Sequence, residues 1–156
     1  MRRLKKILSG LLIVFIVIQF IQPALNESDE MLPTDMTKTI NTPANVQNIL
    51  KTACYDCHSN HTNYPWYSRV QPFGWLLANH IKEGKAELNF SEFGSYSRRR
   101  QISKLNGVVN SVKDETMPLS SYTMIHKNAR LSKENKTLLI DWAQEQKTVL
   151  ERTNKR

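Results

Sequence analysis

The chain has 156 residues, of which 40% are hydrophobic and 23% charged, with a formal net charge of +8; this length suits one domain with a short appendage. Arg2, Arg3, Lys5 and Lys6 place +4 in the first six residues, residues 26–39 carry −3, and the chain from residue 40 carries +7. A domain so basic suits nucleic acid, an anionic membrane or an acidic protein, but no helix-turn-helix, zinc-finger or aromatic ribonucleoprotein motif is present, so nucleic acid is not the expected partner.

Residues 1–25 read as an export signal: a positive start followed by the apolar run Ile7 to Ile21. Those fifteen residues make a helix of about 22 Å, short of the roughly 30 Å of bilayer hydrocarbon. Length favours a cleaved signal peptide, whereas the exit Gln22-Pro23-Ala24-Leu25 lacks a clean A-x-A cleavage site and favours retention as a signal anchor. The anchor is the preferred expectation, with the basic end cytoplasmic and the rest exported. Residues 26–41, acidic and without periodicity, predict a flexible tether.

The domain is expected over 42–150, opening at Thr42-Pro43 as cap and first helical residue. Val46, Ile49, Leu50, Ala53, Cys54 and Cys57 then recur on one helical face. They lead into Cys54-Tyr55-Asp56-Cys57-His58, a C-x-x-C-H pentapeptide. In an exported chain this spacing implies c-type haem attachment, with both thiols on one side of a turn and His58 as an iron ligand. A zinc site of Cys54, Cys57 and His61 would want a fourth ligand from a second knuckle, and the chain has two cysteines. A thioredoxin-like dithiol would follow a strand, and a disulfide over three residues closes too small a loop to stabilise much.

The segment 59–72 is rich in proline and turn formers and dense in aromatics. Tyr64, Trp66 and Tyr67 are candidates for a haem wall, Trp66 and Arg69 for contacts to a propionate. A carbonyl near Pro65 is the expected acceptor for the second ring nitrogen of His58. A helix is predicted from Pro72 or Phe73 to Glu83, carrying His80 and stopped by Gly84. Residues 86–96 read as a loop or single turn. Ser97 caps a basic helix to Lys113 with Ile102, Leu105, Val108, Val109 and Val112 as its stripe; Arg98, Arg99 and Arg100 at its start could meet a propionate or a partner, or simply face solvent. Met117-Pro118 follows, and a thioether held in a proline-stiffened turn is the preferred sixth ligand, with His126, His61 and Met124 as rivals. A closing helix capped by Ser132 runs to about Lys147 or beyond with Leu138, Leu139, Trp142 and Ala143 inward, and 151–156 form a charged tail.

With these residues in place, the chain resembles the small haem-binding domain family of exported bacterial proteins, related in plan to monohaem cytochromes c. The resemblance covers about Thr42 to Gln146 through the C-x-x-C-H motif with Ser59-Asn60, Tyr64-Pro65-Trp66-Tyr67, Asn89-Phe90-Ser91-Glu92-Phe93, Met117-Pro118-Leu119, Tyr122, His126, and Leu131-Ser132 to Trp142. It implies one haem c on Cys54 and Cys57, with His58 as proximal and Met117 as distal ligand. A longer connection between His58 and the next helix departs from ordinary small cytochromes c.

The resulting expectation is an all-α, cytochrome c-like domain around a covalent haem, transferring single electrons outside the cytoplasmic membrane to an acidic redox partner. The rival functions are a haem sensor or peroxidase-type enzyme with an open sixth position, and a scaffold using its cysteines without haem.

Overall fold

The computed structural model describes residues 1–28 and 30–153. The chain is all α, 70% helical, with no strands among the described residues. Among the described residues eight α-helices follow in order: α1 (Arg2–Ile18), α2 (Met36–Thr39), α3 (Ala44–Ala53), α4 (Tyr55–His58), α5 (Phe73–Glu87), α6 (Arg98–Lys113), α7 (Ser120–Ile125) and α8 (Lys133–Thr153), with short 3-10 turns at Trp66–Arg69, Phe90–Ser95 and Lys127–Ala129.

The core is built where the two most strongly periodic segments meet. Helix α6 presents Leu105, Val109 and Val112, and α8 presents Leu139, Trp142, Ala143 and Leu150. Both stripes recur at three- and four-residue steps, so each forms one apolar face that is buried only against a neighbour. Ser97 caps α6 as expected, its hydroxyl accepting from the Arg100 amide at 3.4 Å. Ser132 does the same for α8 through the Asn135 amide at 3.1 Å. Helix α8 runs beyond Lys147, so the start of the charged tail is helical through Thr153, and residues 154–156 lie outside the described residues.

Helix α3 lays Val46, Ile49, Leu50 and Ala53 on this core. The expected continuous helix through the cysteines instead breaks at Cys54, whose φ of −128° leaves helical geometry before α4 begins. Pro43, not Thr42, occupies the capping position of α3; the Thr42 hydroxyl bonds the Ile40 carbonyl instead.

The stretch 26–41 is not a free tether. Asp35 caps α2 by accepting from the Thr37 amide at 2.9 Å and hydroxyl at 2.6 Å, which turns Met36 inward. Met36 is fully buried beside Phe90 and Phe93. The Gly94 amide donates to the Thr34 carbonyl at 2.7 Å and the Thr34 hydroxyl to the Ser91 carbonyl at 3.0 Å, so this belt is stitched to the Phe90–Ser95 turn. A lone buried methionine leaves no periodic trace, which is why the sequence read as linker.

Helix α5 runs through Gly84, which was expected to end it, and reaches Glu87. A Cβ at Gly84 would stand 2.6 Å from the Cys57 carbonyl oxygen, so only glycine lets α4 lie this close. It therefore serves as a packing position, and Leu77 and Ile81 complete the buried face. Helix α1 has no buried residue, and no helix among the described residues is long and apolar enough to cross a membrane.

Two substitutions test this packing. Met36→Ala should lower unfolding free energy by about 2–5 kcal/mol in denaturant titration, as for a core methionine; a tether residue would change it by less than about 0.5 kcal/mol. Gly84→Ala should destabilise by about 1–3 kcal/mol through overpacking against the backbone of Cys57.

Candidate functional site

The C-x-x-C-H turn is held from two sides. After α5 ends, the Leu88 carbonyl lies among the helix-terminal acceptors left without an intrahelical donor. His58 Nδ1 reaches it at 2.9 Å. A carbonyl can only accept, so the proton is on Nδ1 and the lone pair is on Nε2. The expected acceptor near Pro65 is thus replaced by one thirty residues along the chain. Phe90 packs against the imidazole with ring centres 6.1 Å apart, and stacks on Tyr55 at 5.1 Å.

Asp56, between the cysteines, fixes the turn from a second side. Its Oδ1 accepts from the Asn63 amide and side chain, both at 3.1 Å, and its Oδ2 accepts from the Tyr122 hydroxyl at 2.6 Å. Burial and then the bond to Asp56 push the Tyr122 phenol well above its ordinary pKa, so it remains a donor. Tyr122 also stacks on His126 with ring centres 4.3 Å apart, and His126 Nε2 lies 2.7 Å from the Tyr67 hydroxyl. Nothing in the local pattern around Asp56 announced this role; Tyr122 was noted only within the family resemblance.

Burial, and then the neighbouring Cys57, push the Cys54 thiol up to about 12. Burial and then Asp56 push Cys57 up to about 11. Both are therefore neutral thiols at physiological pH, the reverse of the lowered value a redox dithiol needs. Among the described residues no group of three or more His, Cys, Asp or Glu is gathered to hold a metal ion.

Two cavities open on this turn. The first, about 320 Å³, is lined by Cys54, His58, Leu88, Phe90, Val108 and Met117 among others, and is mostly apolar. The second, about 310 Å³, shares Cys54, His58, Met117 and Pro118 and adds Cys57, His80, Glu83 and Tyr122. Together they fall within the roughly 300–1,000 Å³ typical of cofactor sites.

Met117 reaches both cavities because of how α6 stops. The Thr116 amide donates to the Ser111 carbonyl at 3.0 Å and the Glu115 amide to the Val112 carbonyl at 3.4 Å, the pairing of a Schellman end. Glu115 takes the left-handed position usually given to glycine, with φ of 56°. Its carboxylate pairs with Lys136 of α8, which lowers its pKa and holds the turn to the core pair.

The structure thus brings Cys54, Cys57, His58 and Met117 around one space, and adds His80 at its second half. It does not bring in Trp66 or Arg69. Trp66 is 83% exposed, Arg69 is also exposed on the same 3-10 turn, and neither lines these cavities. His126 is engaged by Tyr67 and Tyr122, Met124 is 69% exposed, and His61 lies at a bridge with Glu27; none of the three lines these cavities.

Comparison with characterised proteins gave no match, nor did comparison with solved structures. The family model described as Haem-binding domain matches residues 13–145. That match spans most of the chain, and the protein belongs to the Haem-binding domain family.

Proposed function

We propose that the chain is a membrane-anchored, monohaem c-type cytochrome that carries single electrons outside the cytoplasmic membrane. The observation that carries this reading is that Cys54, His58 and Met117 line the same largely apolar cavity while His58 keeps Nε2 free. The residues present fit the cofactor. Cys54 and Cys57 would hold haem c as thioethers. His58 would ligate iron through Nε2, with the Leu88 carbonyl making the imidazole a stronger donor. Met117 is the proposed sixth ligand; a thioether paired with an imidazole raises the potential. When bound, haem supplies the one-electron couple, while the protein excludes water, fixes ligands and sets the potential.

The basic balance of the exported part, +7 from residue 40, suits steering toward an acidic redox partner. Helix α1 would hold the chain in the membrane with Arg2, Arg3, Lys5 and Lys6 on the cytoplasmic side.

A second reading draws on the titratable groups that line the second cavity. His80, Glu83 and Tyr122 line the second cavity beside His58. Such groups suit a ligand-sensing or peroxidase-type centre if the sixth position is exchangeable.

Absorption spectra of the full chain, produced with haem-attachment machinery and taken oxidised and reduced with and without carbon monoxide, separate the two. A low-spin reduced spectrum indifferent to carbon monoxide is expected; a high-spin one that shifts on its addition would favour the second reading. Met117→Ala should convert the reduced protein to a high-spin, carbon monoxide-reactive form, and unchanged spectra would remove Met117 from the iron. Joint Cys54→Ser and Cys57→Ser substitution should abolish haem staining in denaturing gels, and persistent staining would refute covalent attachment.

A further inference from the structure

The apolar run Ile7 to Ile21 is about 8 Å too short, at 1.5 Å per residue over fifteen residues, for a typical hydrocarbon core. A short anchor is accommodated by thinning the bilayer or by drawing flanking groups into the interface. The groups flanking this one are unusual. The Gln19 side chain accepts from the Gln71 amide at 2.8 Å and donates to the Gln71 carbonyl at 3.2 Å. The Gln22 amide group donates to the Arg69 carbonyl at 3.2 Å, and the Trp75 indole donates to the Ile21 carbonyl at 2.8 Å. The exit of α1 is therefore fastened to the Trp66–Arg69 turn and to the first turns of α5 with no slack between them.

At that junction the domain carries apolar side chains into solvent. Trp66 is 83%, Phe73 55% and Leu76 53% exposed, next to Phe20 at 84% and Ile21 at 59% on the anchor itself. Gly74 holds the patch together: a Cβ there would strike the Ser68 carbonyl, so the turn bearing Trp66 lies directly on the helix bearing Phe73. Exposed Arg69 stands on the same turn, where a guanidinium would meet lipid phosphate. Aromatic rings flanked by basic groups favour the headgroup boundary, and an apolar face enters it by about 5–10 Å, which matches the shortfall of the anchor.

We propose that Trp66, Phe73 and Leu76, with Arg69, form a second membrane contact, a lipid-interface surface that seats the domain on the bilayer in one orientation. This rests on α1 being a membrane segment. It also gives Trp66 and Arg69 a place in the fold that the haem cavities do not.

The test uses the full haem-loaded chain in phosphatidylcholine–phosphatidylglycerol vesicles containing a lipid with a photoactivated carbene near its headgroup, with labelled sites mapped by mass spectrometry. Label on both α1 and the segment 66–76 is the expected result. Label on α1 alone overturns the surface while leaving the anchor standing, and this is also the outcome if the patch instead receives a protein. Label on neither overturns the anchor and the surface together. The variant carrying Trp66→Ser, Phe73→Ser and Leu76→Ser should keep its haem spectrum and its α1 label but lose at least about four-fifths of the label on the rest of 66–76. Trp66→Ser alone, at the most exposed position, should lower that label by about half, and undiminished label in both variants overturns the proposal.

Discussion

The hydrogen bond from His58 Nδ1 to the Leu88 carbonyl is the constraint on which the site depends. It decides the tautomer of the imidazole and therefore which nitrogen is offered to a metal. It exists only because α5 ends at Glu87 with α4 packed on its flank, and that approach needs Gly84 beneath the Cys57 backbone. The Phe90 ring, on the turn that follows Leu88, closes against the same imidazole. One helix end thus supplies the acceptor, the space and the apolar wall.

The other half of the site is held from farther away. Asp56 binds Asn63 with one carboxylate oxygen and Tyr122 with the other, tying the loop after α4 and helix α7 to the residue between the two thiols. Met117 arrives from α6 through a left-handed turn at Glu115 that is pinned to α8 by Lys136. Met117 therefore comes from a turn whose position is set by the α6–α8 core, so a change in that core would be felt at the site.

Much of this was legible. The C-x-x-C-H spacing, the apolar stripes of α6 and α8 and the serine caps at Ser97 and Ser132 are local signals, and the structure realises them. The gathering of Met117 with Cys54 and His58 was expected from chemistry rather than geometry, since a metal needs a partner ligand. What was missed is non-local. The acceptor for His58 comes from the far end of another helix, the role of Asp56 depends on a tyrosine sixty-six residues away, and Gly84 looks like a stop signal unless the helix lying on it is known. Trp66 and Arg69 had the right chemistry for a haem edge and sit on a surface instead, because side-chain type does not determine which way a 3-10 turn faces.

The buried Met36 and the hydrogen-bonded junction at Gln19 and Gln22 bear on how such a domain would meet other proteins. A flexible linker of sixteen residues would let a tethered domain wander by roughly 20 Å. The belt over 26–41 removes that freedom, so the reach of the domain is set by its own dimensions. With α1 in a bilayer, encounters would be governed by lateral diffusion in the plane rather than by a searching arm, and any docking partner would have to present its surface at one fixed height.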